Sequence, residues 1–308
     1  MKADGRAAAL AALVFGAAVI GLAPILPRLA ETGPAAAAFW RLAFATPLLG
    51  LLTLLPRRER GPGRPNRWAL AAGVFFAADI AFWHYGLTYT SVANATVLTN
   101  LTPVVVTVAA WVLFKEKPRA LFLVALALAV GGAVIVGTAA GSGGRGTNPP
   151  LGDLLSAITC LWYGGYFLCV REARQSAGAA RVMFWSSLAG APLMLAVALV
   201  LGERVFPAGP SGWAACLGLG LVHAAGQGSI AWSLGRLPTA LASVTVLVQP
   251  VVAAILGWII FDERVVAMQA AGAAVLLAGV VLAQVSAARS GKAAQKKTAA
   301  AEESATAV

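Results

Sequence analysis

Charged side chains are scarce in this chain. Asp, Glu, Lys and Arg make up only 11% of its 308 residues, while 59% are hydrophobic and the mean hydropathy is +0.81. A soluble domain carries about 25% charged residues, and its core cannot use this much apolar surface. The shortage of charge therefore excludes an ordinary soluble domain and indicates an integral membrane protein.

The chain also lacks the motifs on which many catalytic and cofactor sites depend. It has three cysteines and two histidines, and it contains no GxxxxGK[ST], HExxH or CxxC motif. Cys160, Cys169 and Cys216 fall at or inside apolar runs, which leaves no loop pair for a disulfide and favours a packing role. We therefore expect no cofactor, no metal, no ATP-driven step within this chain and no enzymatic activity.

Long apolar runs, by contrast, are abundant. A helix needs about 20 residues to cross the hydrocarbon core, and lipid offers no partner to an unpaired strand backbone. The sequence thus predicts an all-α membrane protein with ten transmembrane helices. The approximate spans are 7–27, 35–55, 68–87, 91–114, 119–140, 152–170, 181–201, 212–234, 238–261 and 265–285. The first run could alternatively be the core of a signal peptide, but nine further runs favour a mature helix.

Basic residues follow the membrane topology. With the amino terminus inside, most of the 23 basic residues fall in inner segments. The outer exceptions are Arg28, Arg41, Arg145, Arg204 and Arg264. The positive-inside rule then places both termini in the cytoplasm. Because this bias accounts for the pI near 10.3, we expect the lipid bilayer as a partner and no nucleic acid.

The chain repeats itself at an offset of 147 residues. This offset aligns Pro103, Trp111, Phe114 and Glu116 with Pro250, Trp258, Phe261 and Glu263, and it also aligns Gly132 with Gly279. Each half has five spans, and an odd number of crossings inverts the second half. The sequence therefore predicts two inverted repeats, 1–140 and 152–285, around a central cavity, with an outer linker at 141–151.

The last 23 residues, 286–308, differ in composition from the spans. They mix Lys and Glu with Ala, Gln, Ser and Thr and offer no apolar face. We predict a disordered cytoplasmic tail there.

Ionisable groups inside spans are the best pointers to a binding site, because burying them unpaired costs several kcal/mol. Asp79 is the one acid deep in a span. It lies one turn before Trp83, and His84 is adjacent. A carboxylate there could hold the ammonium group of a substrate or accept a coupling proton. The alternative is that Asp79 pairs internally and only fixes helix packing.

Other polar and aromatic residues extend the candidate site. They are Asn100, Trp162, Tyr163, Tyr166, His223, Gln227 and Gln249, with Pro103 and Pro250 as helix breaks. Interhelical hydrogen bonds, interfacial anchoring of the aromatic residues and simple helix kinks are the competing explanations.

Three stretches resemble one transporter family. They are GDLLSAITCLWYGGYFLCVR from Gly152, TSVANATVLTNLTPVVVTVAAWVLFKEKP from Thr90, and RLPTALASVTVLVQPVVAAILGWIIFDER from Arg236. These stretches are similar to the EamA branch of the drug/metabolite transporter superfamily, and Arg41 at the head of the second span also fits that pattern. The resemblance implies a ten-helix carrier with a central cavity, often an exporter of amino acids or related metabolites.

These observations predict a secondary transporter in a prokaryotic plasma (inner) membrane. We expect it to move small metabolites, most of all amino acids, out of the cell by alternating access, and proton coupling is left open. Efflux of drugs or cationic compounds is the nearest alternative. A membrane channel is a further alternative, although a channel would show a more continuous polar path.

Overall fold

The structure, a computed structural model, describes residues 3–55, 61–90, 95, 98–139, 147–261 and 266–306. All regular elements within these ranges are helices. Those of the first half are α1 (Ala3–Ile20), a short 3-10 helix (Leu26–Leu29), α2 (Pro34–Leu54), α3 (Arg67–Tyr89), α4 (Thr102–Phe114) and α5 (Ala120–Ala139).

The second half continues the same helical pattern with interruptions. Its helices are α6 (Pro149–Ser176), α7 (Ala179–Val200), α8 (Pro210–Val222), α9 (Gly228–Leu234), α10 (Thr239–Val246), α11 (Val248–Phe261) and α12 (Ala267–Thr306). A π-helical turn, His223–Gln227, joins α8 to α9. Both α8–α9 and α10–α11 run through one predicted span each.

Helix length supports membrane insertion. Within the described ranges, eight helical stretches are long and apolar enough to cross a bilayer, and 5–20 and 102–114 are shorter apolar helices. The first span was predicted to reach residue 27, but α1 ends at Ile20, and a 3-10 helix with Pro27 in its first turn follows. Residues 91–94 and 96–97 of the fourth predicted span lie outside the described residues. The count of ten spanning helices stays a prediction.

Large apolar side chains cover the outside of the bundle. On α4 the exposed fractions of Val108, Trp111, Val112 and Leu113 range from 47% to 62%. A soluble protein rarely exposes contiguous apolar surface of this kind, whereas lipid accommodates it. The chain is therefore a multi-pass membrane protein.

Connecting segments meet in two groups. At the predicted outer end, Gly33 N donates to Arg204 O and Asn148 N donates to Tyr89 O, both over 3.1 Å. At the predicted inner end, Arg171 Nη2 lies 2.7 Å from Glu116 Oε1. These contacts join connections that the span order assigns to the same side.

Two glycines bring α5 and α12 into backbone contact. Gly132 lies against the backbone of Gly272 and Leu276, with no room for a Cβ atom. Gly279 lies in the same way against Ala125 and Ala129. The two contacts are equivalent: adding 147 to the residue numbers on one helix gives the residue numbers of the matching contact on the other helix. Small residues allow membrane helices to approach this closely.

Other helix contacts also correspond between the two halves of the chain. Helix α2 packs on α7, while α3 packs on α6 and α7. Correspondingly, α8 packs on α2 and α9 packs on α1. The polar site described below lies where α2, α3, α6, α7 and the π-helical turn meet.

The end of the chain differs from the sequence prediction. Helix α12 continues to Thr306, whereas the sequence predicted a disordered tail from residue 286. The tail is rich in Ala, Lys, Gln and Glu, which rank among the better helix formers. A helix already started in the apolar segment can extend through such residues, because propagation is less costly than nucleation.

Candidate functional site

Arg41 lies at the centre of a buried polar cluster. It is the eighth residue of α2, and only 9% of it is exposed. Its Nε donates a 3.3 Å hydrogen bond to His223 Nδ1, and its guanidinium carbon lies 5.1 Å from the centre of the Phe76 ring. From the order of the spans, Arg41 is predicted to be one of the outer basic residues. That assignment was wrong, because the side chain turns into the bundle rather than towards the outer surface.

His223 connects Arg41 to α7. Its Nε2 lies 3.2 Å from Ser187 Oγ, and its ring lies 5.0 Å from that of Phe76. Arginine can only donate, so Nδ1 must be the accepting nitrogen and Nε2 carries the proton. The neutral imidazole thus accepts from Arg41 and donates to Ser187. This network fixes the direction in which the guanidinium points.

The π-helical turn explains why His223 and Gln227 are both available to the cluster. Each is only 1% exposed. Tyr166 on α6 donates to Gln227 Oε1 over 3.1 Å, and the Tyr166 oxygen lies 3.6 Å from Met183 Sδ. π-helical turns are rare and occur frequently at functional sites.

Asp79 faces the same region from α3, one turn after Phe76. It lies within electrostatic range of Arg41, Tyr163 and Tyr166. Within the described ranges it makes no hydrogen bond and no ion pair within 4 Å. Asp79 also keeps partial accessibility in the middle of a span. The bundle therefore brings a guanidinium and a carboxyl group into the same region, and no ion pair joins them among the described residues.

Tyr163 on α6 faces the same region as Asp79 and Arg41. Its ring is stacked on that of Tyr166, with centroids 5.8 Å apart and planes 4° apart. Its hydroxyl faces the side chains of Gln227 and Gln249. Like Asp79, Tyr163 and Gln249 are only partly buried. This part of the cluster is thus aromatic and contains a hydroxyl and two amides.

Trp162 forms a second aromatic group with α3. Its ring lies 5.5 Å from Phe75 and 5.8 Å from Phe82. Three buried nitrogens, Trp162 Nε1, Asn100 Nδ2 and Gln249 Nε2, have no hydrogen-bond partner in the described structure. An unpaired buried donor costs about 1–3 kcal/mol, so these nitrogens suit a ligand that supplies acceptors.

The other sequence-predicted residues make no direct contact with Arg41 among the described residues, although His84 lies within electrostatic range of it. His84 Nδ1 is 2.9 Å from Ile80 O, and its ring packs on Trp83 at 4.8 Å. The described residues show no hydrogen bond or ring contact between this pair and the Arg41 cluster. Pro103 and Pro250 are the second residue of α4 and the third of α11, so a break in the helical backbone precedes each of them. Asn100 lies just before α4.

The structure thus brings Asp79, Tyr163, Tyr166, His223, Gln227 and Gln249 together around Arg41. Sequence reasoning missed Arg41, Phe76, Ser187 and Met183 as members of this cluster. An arginine eight residues into an apolar helix was the available signal for the first of these, since such a charge needs an internal partner. Phe76, Ser187 and Met183 carried no signal, because residues of these types are common in membrane helices. That these residues bind a substrate stays a prediction.

A further carboxylate closes the predicted outer end. Glu203 accepts a 2.8 Å hydrogen bond from the Tyr85 hydroxyl and a 3.0 Å bond from Ala36 N. The second bond lies in the first turn of α2, where a negative charge is favourable. The described residues contain no group of three His, Cys, Asp or Glu side chains able to hold a metal ion.

Comparisons with known proteins agree with this architecture. A crystal structure of 18% sequence identity superposes with a TM-score of 0.77 and covers 92% of this chain and 98% of its own. An uncharacterized transporter of Archaeoglobus fulgidus is 28% identical over 225 residues, which are 73% of this chain and 78% of that protein. The sequence model of the EamA-like transporter family matches residues 7–138 and 150–284. The chain therefore belongs to the EamA-like transporter family.

Proposed function

We propose that this transporter exports small zwitterionic metabolites, amino acids above all, by alternating access. The observation that carries the proposal is the separation of Arg41 from Asp79. The guanidinium of Arg41 on α2 and the carboxyl group of Asp79 on α3 lie within electrostatic range of each other, yet no ion pair joins them among the described residues. A zwitterion offers a carboxylate and an ammonium group at a fixed short distance, and it can bridge such a pair.

The surrounding groups define how such a substrate binds. Its carboxylate is held by the Arg41 guanidinium, which His223 and Ser187 orient. Its ammonium group is held by Asp79. Its side chain lies against Tyr163 and the rings around Trp162, so apolar and aromatic amino acids are the favoured class.

Alternating access follows from two inverted five-helix repeats, 1–140 and 152–285. The double match of the family model and the reciprocal glycine contacts of α5 and α12 support this arrangement. The helix breaks before Pro103 and Pro250 fall at equivalent positions. The linker at 141–151 joins the repeats, and both termini face the cytoplasm of a prokaryotic cell with the protein in its inner membrane.

Each end of the bundle has contacts that opening must break. At the outer end they are those of Glu203 with Tyr85 and Ala36. At the inner end, Arg171 pairs with Glu116, and a cavity of about 470 Å³ lies beside them. Substrate binding to Arg41 and Asp79 provides the free energy difference that shifts the equilibrium between the conformation open at the outer end and the conformation open at the inner end.

The test is counterflow and uptake of a labelled amino acid panel in liposomes. We compare the parent with Asp79→Asn, and use Asp153→Asn as the matched control, since Asp153 bonds Thr90 near the outer surface. Loss of one charged partner costs at least about 2 kcal/mol, so Asp79→Asn should reduce transport at low substrate on the order of 30-fold. Transport at low substrate that is equal in the parent and in Asp79→Asn, or movement of no amino acid by the parent, would refute the proposal.

A pH gradient across the same liposomes tests energy coupling. Asp79 is the group through which a proton would couple, because it alternates between a bound ammonium and an empty site. Uptake that responds to the gradient in the parent and in Asp153→Asn, but not in Asp79→Asn, assigns the coupling to Asp79. Uptake indifferent to the gradient identifies a facilitated exporter.

Efflux of cationic compounds is the second candidate. The rings of Phe75, Phe82 and Trp162 near Asp79 favour a hydrophobic cation. Arg41 opposes it by repulsion. If cations are the substrates, replacing Arg41 with Gln should increase their transport, whereas zwitterion transport should fall.

A further inference from the structure

A second charged cavity lies at the predicted inner end, away from the Arg41 cluster. It opens where the α2–α3 connection meets the α6–α7 connection, and its volume is about 410 Å³. Arg64, Arg67 and Arg181 line it, and no carboxylate is among its described lining residues. Three arginines thus line one cavity.

Hydrogen bonds fix the walls of this cavity. Arg181 Nη2 donates to Gly61 O over 3.0 Å, and Trp185 Nε1 donates to Pro62 O over 2.9 Å. Asn66 Nδ2 donates to Ser176 Oγ over 2.8 Å. The connection before α3 is therefore held against α6 and α7, and the arginines stay together despite their mutual repulsion.

Arg64 and Arg67 are exposed and make no hydrogen bond or ion pair with any described residue. Arg67 instead packs its guanidinium 5.3 Å from the centre of the Trp68 ring. Arg64 and Arg67 bring like charges close together, and the described lining residues offer these two side chains no carboxylate, so a bound anion would relieve their repulsion. The planar guanidinium fork matches a phosphate group in particular, because it donates two parallel hydrogen bonds.

The depth of the cavity suits a ligand at the membrane surface. Helix α3 begins at Arg67 and α6 ends at Ser176, so the cavity lies at the level of the helix ends. Trp68 is 39% exposed beside it, and tryptophan is enriched at this boundary. Anionic headgroups of the cytoplasmic leaflet attract basic segments at this depth.

We propose that the cavity of Arg64, Arg67 and Arg181 is a binding site for a phosphate group. An anionic phospholipid headgroup and a soluble phosphate monoester share this chemistry, and both can reach the helix ends. The site is separate from the transport site, and its test does not depend on transport.

The experiment measures ligand retention by the full-length protein in native mass spectrometry and thermal shift. The probes are phosphatidylglycerol, neutral phosphatidylcholine and glycerol 3-phosphate. The variant R64Q/R67Q is compared with K117Q/R119Q, which removes two exposed positive charges from the same end. R64Q alone provides a milder change, and unchanged melting without ligand verifies its fold.

With each arginine contributing about fivefold, R64Q/R67Q should weaken phosphate binding roughly 25-fold, while K117Q/R119Q leaves it unchanged. Retention of phosphatidylglycerol but not of glycerol 3-phosphate assigns the site to lipid. Retention of glycerol 3-phosphate assigns it to a soluble ligand. Equal weakening in both double variants, or no preference for phosphatidylglycerol or glycerol 3-phosphate over phosphatidylcholine, overturns the proposal.

Discussion

Gly132 and Gly279 make equivalent contacts on α5 and α12, but the two halves differ where they meet the polar site. Under the offset of 147, Asp79 corresponds to Gly226, and Tyr163 corresponds to Gly16. Gly16 packs directly on the backbone of Gly226. The side chains of Asp79 and Tyr163 are partly accessible, whereas Gly16 and Gly226 are buried against each other.

This difference is what a zwitterionic substrate requires. A symmetric site would offer the same charge twice, whereas an amino acid needs one cation and one anion as partners. The packing of α5 on α12 has no such requirement, and it can keep the same small residues in both halves. The packing of α5 on α12 is thus the same in both halves, whereas each half contributes different residues to the cluster around Arg41.

The largest expected effect comes from breaking the symmetric packing. Gly132→Leu and Gly279→Leu place a side chain against backbone atoms, so each should destabilise the protein by about 3 kcal/mol or more. Gly131→Leu is the matched control, because nothing lies within 4 Å of a Cβ added there. Detergent-solubilised yield and melting temperature provide the measurement. Equal behaviour of Gly131→Leu and Gly132→Leu would contradict the close approach.

Substrate analogues test which residue of the polar site binds the carboxylate and which binds the ammonium group. Arg41→Gln should no longer prefer an amino acid to the amine that lacks its carboxylate. Asp79→Asn should no longer prefer an amino acid to its N-acetyl derivative, which lacks the ammonium group. Each change in preference should be on the order of 30-fold, because one charge-assisted partner is removed. Competition against labelled substrate in liposomes measures it. The assignment fails if both variants lose both preferences equally.

Much of the scaffold was predictable because its signals are local. Apolar runs predicted α2, α3, α5 and α7 within a few residues, since span length follows from bilayer thickness, whereas α6 ends six residues beyond its predicted span of 152–170. The turn at His223–Gln227 was not predicted, because a π-helical turn depends on how α8 packs rather than on residue type. Charge counting misplaced Arg41, since a sequence does not show whether a long side chain turns outward or inward.

The two stacked tyrosines should respond differently to loss of a hydroxyl. Tyr166→Phe leaves Gln227 Oε1 without its donor in a fully buried position and should reduce stability by about 1–2 kcal/mol. Tyr163→Phe changes a partly accessible hydroxyl and should raise KM several-fold at nearly unchanged stability. Melting temperature and transport kinetics together separate the two. A larger stability loss in Tyr163→Phe than in Tyr166→Phe would reverse the assigned roles.

The smallest effect concerns the two ends of the bundle. Tyr85→Phe removes a hydrogen bond to Glu203 at the predicted outer end, and Glu116→Gln weakens the contact with Arg171 at the inner end. Arg171 keeps Glu172 as a partner in the second case, and both contacts are partly accessible, so each change should be about 0.2–1 kcal/mol. This shifts the balance of conformations up to about fivefold, in opposite directions. Labelling rates of single cysteines placed at each end measure the shift. Because Tyr85→Phe should increase outer labelling and Glu116→Gln inner labelling, a shift in the same direction for both would mean that these contacts do not oppose each other.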